Sequence, residues 1–273
     1  MPVTNFIPEI WSASILRGFE KASVFASVCS RDYAGELAGR GDVVKVPKIG
    51  AVAIRDYQKG GPISYDEVQG STIDISVDEQ KYWALKADDV DKMQSAPAFL
   101  DGATKNAAYA LRDTVDEYSA GILTAGAGTK LFATAPYSGD WVHLFALLAQ
   151  KLDEMNIPRG GRYAVIPPFV VAGLAEAVIK AGMPNERPLA EGFISRIAGF
   201  DIFMSNNLVS DAEGTSIIAG VQAASTHIMQ LTKTETLRDR DSFSDLVRGL
   251  AIYTTAVLLP EGIVTALCEN ITD

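Results

Sequence analysis

Clustered carboxylates are the first residues in this sequence that could perform chemistry. Asp88, Asp89 and Asp91 lie in the run DDVD, and clustered carboxylate oxygens are the ligands that Mg²⁺ and Ca²⁺ prefer. The residues that follow, KMQSAPAFL, lack the regular ligand series and bidentate Glu of a calcium-binding loop. Acidic residues ahead of a helix also stabilise its positive end. We interpret the run in this second way, with a carboxylate-based, metal-dependent hydrolase as the alternative.

The histidines, cysteines and glycine clusters predict no catalytic, cofactor or metal site. His143 falls on the polar side of an amphipathic helix, and His227 stands where the pattern indicates a helix start. Neither has the neighbours of a nucleophile and its base. Cys29 and Cys268 stand at opposite ends of the chain without a CxxC partner. No glycine cluster has the order of a phosphate-binding loop, so we expect no enzyme and no cofactor.

The chain is acidic overall and ordinary in its balance of apolar and charged residues. It has 273 residues, a formal net charge of -10, 48% hydrophobic residues and 21% charged residues. These values are typical of a globular protein with a sizeable core and exclude a disordered chain. The net charge argues against a nucleic-acid clamp, because such proteins concentrate Lys and Arg against phosphates. The start MPVTNFIPEIW lacks a secretory pattern, so we expect a chain made in a reducing cytoplasm.

Two N-terminal segments are predicted to need support from outside themselves. A helix is expected after Pro8, with Trp11, Leu16 and Phe19 on one apolar face. Over residues 41–87 apolar residues alternate on both sides of a polar, Gly-rich stretch, which predicts a two-stranded ribbon with a long tip. A two-stranded ribbon is marginally stable alone in water. It must therefore pack on its own chain or on a neighbouring subunit.

The remaining sequence predicts one long helix, a mixed middle region and a strand-rich end. The long helix is expected over Ala98–Leu123, before the Gly-rich stop AGAGT. A second helix, over Trp141–Met155, is predicted to be capped by Asp140. The further predicted elements are a strand at Arg162–Ile166, a helix at Pro168–Lys180, and strands at Ile197–Met204, Ser216–Ile218, Leu246–Leu259 and Ile263–Cys268. The predicted fold class is α+β.

Motifs along nearly the whole chain resemble those of tailed-phage major capsid proteins. The N-terminal half carries FIPEIWSASIL, VFASVCSRDYAGELAGRGDVVKVPKIG and IRDYQKGGPISYDEVQGSTIDISVDEQKYWALKADDVDKMQ. The C-terminal half carries RYAVIPPFVVAGL, ISRIAGFDIFMSNNL and RDRDSFSDLVRGLAIYTTAVLLPEGIVTAL. Their collinear order makes the resemblance specific, and it implies the Hong Kong 97-like phage capsid fold.

The resemblance also implies a division of the chain into regions. Residues 1–41 would be the N-terminal arm, 42–87 the extended E-loop ribbon, and 88–135 the P domain with its long spine helix. Residues 136–221 would form the A domain, and 222–273 would return to the P domain. The arm, ribbon and long helix predicted from the residues alone fit this plan.

The function implied by the resemblance is structural. The chain would be a major capsid subunit that self-assembles into pentamers and hexamers of an icosahedral phage head enclosing double-stranded DNA. Residues of the arm, the ribbon and the charged run RDRDSFSD are candidates for inter-subunit contact, with packing inside the chain or a solvated turn as the alternative. The candidates are Trp11, Leu16, Phe19, Tyr57, Lys59, Ile73, Ile75, Val77, Arg238, Asp239, Arg240 and Asp241.

The expected partners follow from the same resemblance. They are further copies of the chain, a separate scaffolding protein, a portal protein and, as an option, a decoration protein. DNA would be packaged without sequence-specific binding, and no membrane is involved. A separate scaffold is expected because the arm motif begins by Phe6. The shell would form in the host cytoplasm and become the virion capsid. The alternative within this fold is an encapsulin-like cellular compartment that encloses a cargo enzyme.

Overall fold

The described residues form a mixed fold of helices and sheets, which confirms the α+β class. A computed structural model describes residues 23–33, 43–49, 54, 56, 70–77, 79–88, 98–180, 196–240 and 242–269. The strands are β1 (Val43–Ile49), β2 (Gly70–Ser76), β3 (Glu79–Asp88), β4 (Thr129–Leu131), β5 (Arg162–Ile166), β6 (Arg196–Ile197), β7 (Phe200–Met204), β8 (Thr215–Val221), β9 (Ser225–Arg238), β10 (Ser244–Val257) and β11 (Ile263–Cys268). The helices are α1 (Phe25–Val28), α2 (Ala98–Gly126), α3 (Trp141–Glu154) and α4 (Pro168–Lys180), with 3-10 turns at Gln222–Ala224 and Pro260–Gly262.

The long helix α2 packs on one face of a small antiparallel sheet, whose strand order is β3-β10-β9. Leu111 and Val115 of the helix belong to one buried cluster with Ala251 and Tyr253 of β10. They meet because residues four apart share a helix face and residues two apart share a strand face. Tyr118 adds an edge-to-face contact with Tyr253, with ring centroids 5.5 Å apart.

The predicted ribbon is formed by β1 and β2, which pair antiparallel with Val44 opposite Ile75. Its apolar side packs on the face of the small sheet opposite to the long helix. The buried members of this contact are Val44, Val46, Ile75, Val77, Ile228 and Ile252. The strand that follows, β3, pairs with β10 and not with the ribbon. The ribbon strand therefore ends at Ser76, whereas the sequence pattern extended the ribbon to Ala87.

A second, larger sheet has the strand order β4-β11-β8-β5-β7-β6. Its central strand β5 is buried along its whole length, as expected for a strand covered on both faces. Helix α3 begins as predicted, with the Asp140 carboxylate accepting a hydrogen bond from the Val142 amide at 3.0 Å. The core of this layer takes residues from α3, α4, β5, β8 and β11, among them Leu144, Phe145, Leu148, Leu152, Val170, Leu174, Val165, Ile166, Ile217, Ile218, Ile263 and Val264.

Two predictions about local structure were wrong. His227 lies in the long strand β9 and not at a helix start, because β9 pairs with β10 and places His227 opposite Thr255. The strand predicted over Ile197–Met204 is a hairpin of β6 and β7. Ala198 and Gly199 both have positive φ, 49° and 87°, and two such residues make the tight turn that matches strand twist.

No helix in the described part of the chain is long and apolar enough to cross a membrane.

Replacing Gly249 with Ala is expected to destabilise the small sheet. Gly249 stands opposite Trp83, and a Cβ there would lie 2.3 Å from the indole ring. Overpacking of this kind costs about 1–3 kcal/mol. The matched control is Gly121→Ala in the long helix, where nothing lies within 4 Å of the added carbon and helix propensity favours Ala by about 1 kcal/mol. Urea unfolding should show the two variants moving in opposite directions, and equal midpoints would contradict the packing.

Candidate functional site

Two of the ribbon candidates, Ile75 and Val77, lie in a contact that the chain makes with itself. The side chains of Ile75 and Val77 are 3% and 0% exposed, and both belong to the cluster with Ile228 and Ile252. Their apolar surface is therefore already buried within one chain, which is the alternative that the sequence left open. Ile73 is only partly buried at the edge of this cluster, so part of its surface remains available to a neighbour.

Half of the predicted contact residues lie outside the residues that the structure describes. Contact with another subunit at these positions stays a prediction. They are Trp11, Leu16, Phe19, Tyr57, Lys59 and Asp241.

The charged run lies at the tip of the hairpin between β9 and β10, where Asp239 makes hydrogen bonds with residues of its own chain. The Asp239 carboxylate accepts hydrogen bonds from the Ser242 hydroxyl at 2.6 Å and the Lys86 ammonium at 2.7 Å. The Asp239 amide donates to the Ser244 carbonyl at 2.9 Å. Asp239 is thus a turn-closing residue of its own chain. Arg238 and Arg240 are exposed at this tip.

Beside this tip lies an aromatic residue that the sequence analysis did not single out. Phe243 is 81% exposed although it is large and apolar, and Leu237 of β9 is exposed close to it in sequence. Aromatic residues are enriched where protein interfaces are buried, so Phe243 is a candidate interface residue. The tip therefore combines a fixed backbone, exposed arginines and an aromatic side chain.

A second exposed aromatic, Tyr82, stands on β3 and was also missed. It is 81% exposed and borders a hollow of about 460 Å³ that Leu250 and Arg248 also line. Arg248 is held there by the Glu235 carboxylate on the neighbouring strand, at 2.6 Å. Among the described strands only β10 pairs with β3. The signal in the sequence was the adjacent pair Tyr82-Trp83, because neighbouring strand residues face opposite sides of a sheet.

The N-terminal segment, residues 23–33, is anchored to the long helix by a buried carboxylate. Asp116 accepts hydrogen bonds from the Ser23 hydroxyl at 2.6 Å, the Val24 amide at 3.2 Å and the Phe25 amide at 3.4 Å. Arg112 lies 3.6 Å away, one helix turn earlier. Burial raises the pKa of the Asp116 carboxyl, while these hydrogen bonds and the arginine oppose that rise.

Two buried titratable groups, His227 and Cys29, lie near this anchor. His227 is 3% exposed, and burial together with the charge of Arg31 lowers its pKa to about 4. Burial raises the pKa of the Cys29 thiol to about 11, so the thiolate that a nucleophile needs is disfavoured. His143 is exposed on α3, as its polar helix side predicted.

A metal site has no support in the part of the chain that the structure describes. No group of three or more His, Cys, Asp or Glu side chains comes together there. Asp89 and Asp91 of the acidic run lie outside the described residues, so the hydrolase alternative gains nothing from the structure.

Comparison with solved structures identifies the fold. The chain is similar to a structure from Mycobacterium phage Che8, with 29% identity and a TM-score of 0.72 over 89% of this chain and 90% of that chain. It is similar to the capsid structure of cyanophage P-SCSP1u, with 17% identity and a TM-score of 0.69 over 91% and 89% of the two chains. The chain has the fold of phage capsid proteins.

The capsid fold extends to a structure described as a virus-like particle from Pyrococcus furiosus, with 14% identity and a TM-score of 0.59 over 94% of this chain and 98% of that chain. No protein family and no curated protein sequence matches this chain. The resemblance to phage capsid proteins that the sequence motifs indicated is therefore confirmed by three-dimensional similarity.

Replacing Asp116 with Asn is expected to loosen the N-terminal segment of this capsid-fold chain. The amide removes the charge that three donors face, and losing charge-assisted hydrogen bonds in a buried site costs about 2–3 kcal/mol. The matched control is Asp113→Asn one turn away, whose side chain is 64% exposed and contributes about 0–1 kcal/mol. Tryptic cleavage after Arg31 should accelerate in the first variant and not in the second. Equal cleavage in both would contradict the anchor.

Proposed function

We propose that the chain is the major capsid subunit of a phage head with the Hong Kong 97-like architecture. In this function it assembles into pentamers and hexamers of an icosahedral shell that encloses double-stranded DNA. The observation that carries the proposal is the extent of the fold similarity, which covers about nine tenths of this chain and of chains from phage capsid structures. A shared domain inside a larger unrelated protein would not give that mutual coverage.

Exposed apolar surface on the small sheet supports self-assembly. Tyr82 and Phe243 are both mostly exposed in the single chain, and aromatic residues are enriched where protein interfaces are buried. The hairpin tip adds exposed arginines on a backbone that Asp239 fixes. Fixed charges of this kind set register and partner choice more than affinity.

The net charge is compatible with a container for DNA. The chain carries 34 acidic and 24 basic residues, so on average it repels phosphates. A wall that does not adsorb DNA allows the genome to be packed without sequence-specific contacts.

The regions of the proposed subunit are the arm at 1–41, the E-loop at 42–87, the P domain at 88–135 and 222–273, and the A domain at 136–221. Assembly would take place in the host cytoplasm with a separate scaffolding protein and a portal protein, and the virion capsid would be its final location.

The second candidate is the shell of an encapsulin-like cellular compartment. The similarity to the virus-like particle from Pyrococcus furiosus favours it, at a lower TM-score than the phage structures have. The two functions differ in what the shell contains, because a phage head holds nuclease-protected DNA and a compartment holds a cargo protein.

Mass measurement and electron microscopy test the proposal. The purified chain, alone and co-expressed with a candidate scaffolding protein from the same genome, should give shells or five- and six-fold rings by light scattering and negative staining. Nuclease-protected DNA in particles from infected cells supports the phage head, and a stoichiometric cargo protein supports the compartment. Only monomers or dimers under both conditions would overturn both candidates.

Replacing Phe243 with Ser is expected to reduce shell yield about tenfold or more without lowering the stability of the subunit. The exposed ring contributes little to its own chain, while truncating a buried interface aromatic costs about 2 kcal/mol or more. The control is Met155→Ser, at an exposed apolar residue at the end of α3. Shell yield by sedimentation and unfolding midpoint by urea separate the two effects. An unchanged shell yield for Phe243→Ser would show that the hairpin tip is not part of the assembly interface.

A further inference from the structure

Strand β3 forms one edge of the small sheet, and most of its side chains are exposed. Among the described strands it pairs only with β10. Tyr82 is 81% exposed, and the side chains of Lys81 and Lys86 are 51% and 54% exposed. The strand has 10 residues, contains no proline, and keeps a regular register with β10 along its whole length. Proline and β-bulges, two features that block pairing at sheet edges, are therefore absent from this strand.

A hollow flanks β3 on each face of the small sheet. On the side of the long helix, a hollow of about 650 Å³ lies between β3 and α2 and is lined by Trp83, Leu85 and Ala107. On the other side, the hollow of about 460 Å³ is lined by Tyr82 and Ala84. Side chains of a strand point alternately to its two faces. A strand added at this edge would therefore direct its side chains in turn toward each hollow.

The sequence of β3 is complementary to itself in an antiparallel register centred on Ala84. In this register Tyr82 stands opposite Lys86 of the second copy, and Trp83 stands opposite Leu85 of the second copy. Each pair occurs twice, because the register is symmetric. Aromatic side chains pair favourably across strands with aliphatic and cationic side chains. The centre of β3 therefore matches the same centre in a second chain.

The ends of this register also avoid charge repulsion. Gln80 stands opposite Asp88 of the second copy, and Lys81 stands opposite Ala87. No two like charges stand directly opposite each other, an arrangement that would destabilise the pair. A register centred one residue earlier sets Lys81 opposite the apolar Leu85. A register centred between two residues would set residues of different faces opposite each other, which the pleat does not allow.

We propose that two copies of the chain pair antiparallel along β3, about a two-fold axis that passes between their Ala84 residues. The pairing joins two small sheets of three strands each into one sheet of six strands. It is isologous, because each copy presents the same edge to the other. It rests on the proposed function, since it names one contact through which the subunits would assemble.

Disulfide formation by Ala84→Cys tests the pairing. Residues directly opposite in an antiparallel pair have Cα atoms about 4.5–5.5 Å apart, within the range of about 4.4–6.8 Å that a disulfide spans. The whole chain is oxidised with copper phenanthroline in the assembly state in which it is purified. Cross-linked dimers are then measured on non-reducing gels and located by peptide mass spectrometry. The native Cys29 and Cys268 are 1% and 0% exposed, so the unsubstituted chain should give no cross-link.

Tyr82→Cys is the matched control, because it lies on the same strand and the same face. In the proposed register, two Tyr82 positions are four residues out of alignment, which separates them by roughly 14 Å along the strands. Ala84→Cys should therefore give at least about tenfold more cross-linked dimer than Tyr82→Cys. Equal yields for the two variants would overturn the pairing.

A mixture of Tyr82→Cys and Lys86→Cys chains gives a second measurement, which decides if Ala84→Cys does not fold. These two positions stand opposite each other across the pair, so the mixture should cross-link although each variant alone does not. A mixture that gives no more cross-link than its separate parts would overturn the pairing.

Electron microscopy of the same samples separates the pairing from the proposed function. Shells that form without these cross-links would overturn the pairing and leave the proposed function standing. Cross-linked dimers that form no rings or shells would support the pairing and contradict the proposed function.

Discussion

The long helix α2 is the element on which the rest of the structure depends. It has 29 residues, and at about 1.5 Å per residue it extends roughly 43 Å. Leu111 and Val115 pack on the small sheet, and Leu123, three turns later, packs in the core of the large sheet. The long helix therefore contributes residues to both hydrophobic cores.

Two buried charged side chains, Asp116 and Arg162, hold neighbouring segments in one position, which apolar packing alone would not specify. Asp116 lies near the middle of α2, and its carboxylate holds the N-terminal segment by accepting three hydrogen bonds. Arg162 is buried at the start of β5 and donates to Asp153 at 2.7 Å and to the carbonyls of Pro158 and Ile157. Hydrogen bonds from Arg159 and Arg162 lower the pKa of the Asp153 carboxyl. Buried ionic groups of this kind demand one geometry, because a lost partner leaves an uncompensated charge.

The sequence pattern correctly predicted the elements whose ends are marked by nearby proline or turn residues. The bounds of β5, α4 and β11 were correct to the residue, since Pro residues and turns punctuate the chain there. The strand β9 was missed because polar residues alternate along much of its length, and its identity comes from pairing with β10. Pairing partners lie far apart in sequence, so the limit of the ribbon at Ser76 could not be read from alternation alone.

The contact surfaces were harder to predict than the fold. The candidates Ile75 and Val77 were chosen as apolar residues of an unsupported ribbon, and the strands that bury them, β9 and β10, begin about 150 residues or more later in the chain. Tyr82 and Phe243 were passed over because an aromatic residue in a strand pattern suits a core as well as a surface. The register with β10 decides the face on which Tyr82 stands, and Phe243 lies just before β10 begins at Ser244.

A three-dimensional reconstruction of the assembled particle by electron cryomicroscopy would show whether the chain forms a capsid shell. We expect a closed shell of five- and six-membered rings, with each subunit retaining the long helix between its two sheets and with Tyr82 and Phe243 buried against neighbouring copies. A particle that lacks such rings, or one in which both aromatic side chains remain solvent-exposed, would contradict it.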